Sequence, residues 1–238
     1  MGVKGLGQLL NTTCMNSQSI STVSLESFRG KRLIVDAENY LFGYMYGKSE
    51  SELYHRLTQQ VATLRSFGIV PIYAFDGKKT NRLKKETVRK RSDKHKNKKV
   101  KHEEYVRYLE CKYREDLSSG EESELIELSK ELRSLTNLEM TEKDRLDKLY
   151  RSTIKITNSH KEKCRELLNL LGIQWHIAES ESDLLCSKLC RDGTVDGVIS
   201  EDYDMIPFGC SLIIRNLHVT PGSGPRFNLK RILNEMNL

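Results

Sequence analysis

Arg32-Leu33-Ile34-Val35-Asp36 is the stretch on which the fold turns: three consecutive aliphatic residues that end on an acid. A run this short and this apolar reads as a strand buried on both faces, the kind found inside parallel sheets. The same character recurs at Val70-Pro71-Ile72-Tyr73-Ala74-Phe75, Ile173-Gln174-Trp175-His176-Ile177, Val195-Asp196-Gly197-Val198-Ile199 and Ser211-Leu212-Ile213-Ile214-Arg215. Between these runs lie stretches of helical period, from Glu52 to Phe67, Ile154 to Leu171 and Leu184 to Cys190. Strand and helix alternate, so the expected class is α/β: a mostly parallel central sheet of about five or more strands, flanked by helices.

One section breaks the alternation. From Arg82 to about Tyr150 no strand candidate occurs, only charged sequence with Leu and Tyr at helical spacing. It reads as a helical hairpin inserted between strands over residues 82–150, its basic first arm from Arg82 to Lys101 and its second from Glu121. Ser118-Ser119-Gly120 marks the break. No internal repeat and no Gly- or Pro-rich linker divides the chain, so residues 1–238 are expected to form a single domain carrying that insert.

Composition narrows the class further. The chain has 37% hydrophobic and 30% charged residues and a net charge of +6, with no apolar run near the roughly 20 residues of a membrane span, so a membrane-spanning role is excluded. The start, Met1-Gly2-Val3-Lys4-Gly5-Leu6, has no signal-peptide layout, and Leu6 stands where a myristoylation motif needs Ser or Thr. Six cysteines lie scattered without the close pairs of a zinc site, which suits a reducing intracellular compartment. Cys186 and Cys190, beside Leu185 and Leu189, are expected on a buried helix face with no chemistry of their own. The lysines and arginines crowd between Lys78 and Lys101, which points to a phosphate-rich partner.

The acids carry the chemistry. Asp36 and Asp76 each directly follow a strand candidate, and in a parallel sheet both reach the carboxyl edge, where open α/β folds place their sites. Asp202 and Asp204 follow a third strand. If their stretch is extended, both face one cleft while Glu201 faces away. Glu181 and Asp183 follow a fourth strand and precede a helix; they converge only if Glu181 lies at or before the first turn, with Ser180 as the expected cap. Singly, each acid also reads as a cap, a turn or a first-turn residue. Jointly, six carboxylates at one edge repel unless a cation offsets them. All-oxygen donors favour Mg²⁺, with Mn²⁺ as substitute. Two such ions roughly 4 Å apart activate a water and clamp a scissile phosphate, so phosphodiester hydrolysis is the expected reaction.

These residues match a known pattern. Met1 to Leu6, Ile34-Val35-Asp36-Ala37, Tyr73-Ala74-Phe75-Asp76-Gly77-Lys78, Glu181-Ser182-Asp183 and Ser200-Glu201-Asp202-Tyr203-Asp204 with Phe208-Gly209 resemble the flap endonuclease (XPG-like) family, in the family's order. So do the segment from Lys155 through Cys164 to Ile173 and the final run from Phe227 to Leu233. The resemblance implies a PIN-like nuclease core and a two-metal, structure-specific 5′ nuclease acting on flap, 5′-ended or single-stranded DNA in replication or repair. It places the catalytic acids on Asp36, Asp76, Glu181, Asp183, Asp202 and Asp204, with Asp183 where the family usually has Glu. Its catalytic lysine and arginine fall on Lys84 and Arg91, with Lys85 and Lys90 as competitors. Its base-stacking aromatic falls on Phe42, with Tyr40 nearby, and its near-terminal glycine on Gly2. The helical insert resembles an arch for a single strand.

The family's seventh acid and duplex-gripping helical hairpin would follow Leu238, as would a tail for a sliding clamp. Without them the expected substrate shifts toward single-stranded or short-ended DNA. A catalytically impaired nucleic-acid-binding module of the same fold and an RNA-cutting relative stand as alternatives. A monomer in the nucleus is the accompanying expectation.

Overall fold

The computed structural model describes residues 5–14, 20–45, 49–79, 85–114, 116, 118–132, 141–215 and 222–236. Among them the backbone gathers into two compact units. One draws on Met1–Tyr44, Glu50–Arg82 and Ile156–Leu238, the other on Met45–Ser49 and Leu83–Lys155.

The first unit holds a seven-stranded sheet. In chain order its elements are α1 (Leu6–Cys14), β1 (Ile20–Ser24), β2 (Arg32–Asp36), α2 (Ala37–Met45), α3 (Glu50–Ser66) and β3 (Val70–Phe75), all before the second unit's helices. Those are α4 (Lys85–Lys112), α5 (Ser119–Glu131) and α6 (Glu142–Thr153). The sheet unit resumes with α7 (Asn158–Leu170), β4 (Gln174–Ile177), α8 (Ser182–Arg191), β5 (Gly197–Ile199), β6 (Leu212–Ile214), β7 (Ser223–Asn228) and α9 (Leu229–Glu235). The strand order is β1-β7-β6-β5-β2-β3-β4. The five strands read from sequence, β2 to β6, all form and pair in parallel. Leu33, Ile34 and Val35 are fully enclosed, as a strand covered on both faces requires.

Two strands escaped the sequence reading. β7 pairs antiparallel with both β6 and β1, and β1 forms that edge of the sheet. Its sequence, Ser223-Gly224-Pro225-Arg226-Phe227-Asn228, has a Gly-Pro that argues against a strand flanked on both sides. Its Pro225 carbonyl nonetheless accepts from Arg215 N at 3.0 Å.

The winding direction fixes where a site can form. From β2 the chain moves outward to β3 and then β4, and it returns to lay β5 against the opposite side of β2. A crevice opens at such a reversal, at the carboxyl ends of the two strands. The register puts Val35 beside Ile199, so Asp36 and Ser200 are the first residues past that pair. Ile34, Ile72, Ala74, Val198 and Ile213 pack on Cys186 and Cys190 of α8 and Leu10 of α1, so both cysteines lie in the core as expected.

Among the described residues the charged section forms three helices, not the two arms of a hairpin. α4 runs well past Lys101, and Ser118 is the N-cap of α5 in a reciprocal capping box with Glu121, so Ser119 and Gly120 are already helical. Ile154 to Thr157 likewise separate α6 from α7, where Thr157 is the N-cap. The unit's small core is Tyr105 with Leu128 and Leu132, covered by Tyr108, Leu109, Leu146 and Leu149. The Tyr105 hydroxyl is buried without a hydrogen-bond partner among the described residues. Tyr105→Phe removes that unpaired group and is expected to be neutral or stabilising, whereas Tyr105→Ala should cost about 3–5 kcal/mol. Denaturant unfolding of the three proteins measures this difference.

Candidate active site

Asp36 ends β2 and is only 3% exposed. Its carboxylate stays there because three side chains hold it: Ser182 Oγ donates to Oδ1 at 2.8 Å, while Ser200 Oγ at 3.0 Å and Asn39 Nδ2 at 2.9 Å donate to Oδ2. Asp76 follows β3, and its Oδ1 faces the same Ser182, whose N–H donates at 2.8 Å and whose Oγ lies at 2.9 Å. Two carboxylates from adjacent strands thus meet on one serine. Ser182 has a single hydroxyl proton for the two oxygens, so the pair is underprovided with positive charge.

The electrostatics of Asp36 express this. Burial raises its carboxyl from 3.8 to about 6, against the lowering by Ser182 and Ser200, and the nearby negative charges of Asp76 and Asp183 push it further up. Asp183 therefore belongs to the same neighbourhood. It lies in the first turn of α8, where its Oδ1 accepts from Leu184 N at 2.7 Å. Glu181 occupies the N-cap position with extended backbone, ahead of the first turn, as convergence with Asp183 requires. The cap residue is Glu181 rather than Ser180. The Ser180 carbonyl instead accepts from Gly77 N at 2.8 Å.

That bond shows why Asp76 is followed by glycine. A Cβ on Gly77 would lie 1.9 Å from the Ala178 carbonyl oxygen, so the loop carrying Asp76 can press against the β4–α8 connection only without a side chain. Lys79 N adds a bond to Glu179 O at 3.3 Å.

Asp202 and Asp204 depart from their expected arrangement. The backbone is extended at Asp202 but turns into a 3-10 helix over Tyr203–Met205, so strand alternation does not make the two acids face alike. Asp202 N donates to Ser200 Oγ at 3.1 Å, which links it to the Asp36 network, and its Oδ1 caps the short helix by accepting from Asp204 N at 2.9 Å. Asp204 is buried. Glu201 turns away as expected, accepting from the Tyr40 hydroxyl at 3.1 Å and lying 3.7 Å from Arg215.

Of the two candidate aromatics on α2, Tyr40 is 4% exposed with its hydroxyl committed to Glu201, so its ring belongs to the core; Phe42, at 52%, presents its ring to solvent. Lys90 is exposed on α4, 2.7 Å from Glu86. Lys85 and Arg91 lie on the same helix with side chains outside the described residues, and Gly2 and Lys84 lie outside them altogether. Among the described residues, no three His, Cys, Asp or Glu side chains are already gathered tightly enough to hold a metal ion. The carboxylates gather two at a time, on Ser182. Their all-oxygen chemistry and the raised Asp36 suit a hard divalent cation.

Comparison with known proteins gives this arrangement a lineage. The model of the XPG N-terminal domain matches residues 1–98, and that of the XPG I-region matches residues 172–238. The chain belongs to the XPG-like flap endonuclease family. Flap endonuclease 1 of Glycine max is 30% identical over 255 residues, covering 100% of this chain and 57% of that protein. The catalytic core of Rad2 in complex with DNA substrate superimposes with a TM-score of 0.63 at 22% identity, over 100% of this chain and 57% of that one. Flap endonuclease-1 from Methanococcus jannaschii gives 0.58 at 20% identity, over 92% and 63%. These structures share the fold. The chain spans a little over half the length of the curated relatives it matches.

Within this XPG-like chain, Ser182, Ser200 and Asn39 had no place in the sequence reading. The signal was present in the small polar residues next to acids at strand ends, but a serine before a helix reads equally as a cap. The Asp36 shift sets a pH dependence. Its folded-state value lies above its ordinary one, so the folded protein binds the extra proton between about pH 4 and 6, and metal-free stability falls as pH rises through that window. Asp36→Asn is therefore expected to raise metal-free stability at pH 7.5 by roughly 1–3 kcal/mol, with the gain vanishing below about pH 4. Thermal melts of both proteins across pH test it.

Proposed function

We propose that this chain is the nuclease core of a structure-specific 5′ nuclease that hydrolyses phosphodiester bonds in branched or single-stranded-ended DNA. The observation that carries the reading is the shared serine: Asp36 and Asp76, from neighbouring parallel strands, both accept from Ser182 at the sheet edge beside the point where the winding reverses. Confining like charges this way costs free energy that a divalent cation offsets. Family membership supports the same reading.

Asp36, Asp76, Glu181, Asp183, Asp202 and Asp204 would hold two Mg²⁺ ions, or Mn²⁺ in their place. When bound, such ions supply Lewis acidity toward a phosphate and lower the pKa of a coordinated water. The chain's own groups do the rest. Ser182, Ser200 and Asn39 keep the Asp36 carboxylate oriented, and Phe42 offers a solvent-facing ring for a base. Between Lys85 and Lys101, α4 carries nine lysines and arginines against Glu86 and Asp93, a charge that would track a phosphate backbone. Lys84 and Arg91 are the candidates for stabilising charge that grows on the scissile phosphate, with Lys85 and Lys90 as alternates. Gly2 would lie close to the substrate junction. The nucleus is the proposed location.

End-labelled 5′-flap DNA, single-stranded DNA and RNA, incubated with Mg²⁺, Mn²⁺ or a chelator, test this directly. Cleavage is expected with either metal, none with chelator, and a loss of about 10²-fold or more for Asp76→Asn with DNA binding retained. Binding should weaken steeply with salt, and less steeply once Lys94 and Lys98 are replaced. Cleavage that survives the chelator, or is untouched in Asp76→Asn, sinks the metal reading. Tight binding without cleavage by the unaltered protein favours the inactive module, and cleavage of RNA alone reassigns the substrate.

A further inference from the structure

Asp76 has one more tie. Its backbone N–H, just past the end of β3, donates to Glu38 Oε1 at 3.3 Å. Glu38 is the second residue of α2, and the same oxygen lies 2.6 Å from the ammonium of Lys161 on α7. The side chains of Lys161 and Glu38 are only 19% and 22% exposed, which makes this ion pair one of the two most enclosed among the described residues, the other being Arg215–Glu201. A pair this enclosed is screened weakly, so losing one member leaves a poorly compensated charge beside the acids.

We propose that Glu38 and Lys161 are positioning residues for Asp76, an inference that rests on the nuclease reading above. Lys161 does two things at once. It neutralises a carboxylate that would otherwise add to the charge around Asp36 and Asp76, and it pins Glu38 Oε1 where the Asp76 N–H needs an acceptor. The Asp76 loop is then held from both sides. Glu38 grips it from α2, while Ser182 at the start of α8 grips the Asp76 carboxylate and Ser180 of the β4–α8 connection accepts from Gly77 N. The aim of the Asp76 carboxylate follows from that double hold, because a loop fixed at one side only can pivot about it. Outer partners of metal-binding groups commonly govern metal affinity by 10- to 100-fold, roughly the scale to look for.

The test uses the whole chain, comparing the unaltered protein with Glu38→Ala, Glu38→Gln, Lys161→Met and the Glu38→Ala/Lys161→Met double variant. Two readouts are independent of cleavage: calorimetric titration with MnCl₂, and amide hydrogen exchange at Asp76 and Gly77 without metal. Glu38→Ala is expected to weaken Mn²⁺ binding about tenfold and to speed exchange at Asp76. Glu38→Gln, which keeps an acceptor oxygen, should stay within about threefold of the unaltered protein. The double variant should lose no more than Glu38→Ala, since both residues act through one bond. If Glu38→Ala does not fold, Lys161→Met carries the comparison. Unchanged Mn²⁺ affinity in a folded variant overturns the positioning role, even with lowered stability. An unaltered protein that binds no Mn²⁺ overturns the nuclease reading itself, and this inference with it.

Discussion

One serine lies between two carboxylates, and much else in the sheet unit serves that arrangement. Asp36 and Asp76 both face Ser182, which brings one N–H and one hydroxyl to them. Asp36 is buried and Asp76 is exposed; burial first, and the nearby charges of Asp76 and Asp183 to a lesser degree, raise the Asp36 carboxyl to about 6. Protonation relieves the cost of the buried charge at low pH. At neutral pH a bound cation would relieve it, and under the proposed function that requirement would tie a folding problem to a catalytic capacity.

The fold enforces the confinement through backbone geometry. Parallel pairing of β2 with both β3 and β5 delivers Asp36, Asp76 and Ser200 to one edge, beside the point where the winding of the sheet reverses. The loop after β3 can press on the β4–α8 connection because residue 77 has no side chain. That connection ends on Glu181 and leads directly into Ser182 and Asp183 at the start of α8. One close backbone approach therefore draws the acids of two strand ends together.

Much of this was legible in the sequence, for a physical reason. Strands covered on both faces need unbroken apolar runs, so β2 and β3 announce themselves, and an acid directly after such a run must sit at a sheet edge. What stayed hidden is what depends on contacts distant in sequence. Ser182 and Ser200 look like ordinary helix and turn serines until Asp36, 146 and 164 residues away, is brought against them. The 3-10 turn at Tyr203–Met205 was invisible to an argument from strand alternation, because Asp202 caps its own helix. β7 was hidden by its Gly-Pro, and α6 by reading the section from Glu121 to about Tyr150 as one arm, although Thr141 caps a further helix. Nothing in the sequence singles out Glu38, since Lys161 reaches it from another helix.

The central claim is that the Asp36–Asp76 edge is a cation site. Crystals of the chain soaked in MnCl₂, with diffraction collected at the manganese edge, examine it most directly. Anomalous density within about 2.5 Å of carboxylate oxygens of both Asp36 and Asp76 is the predicted result. Well-ordered crystals showing no such density at that edge, or manganese bound only elsewhere, would contradict the account.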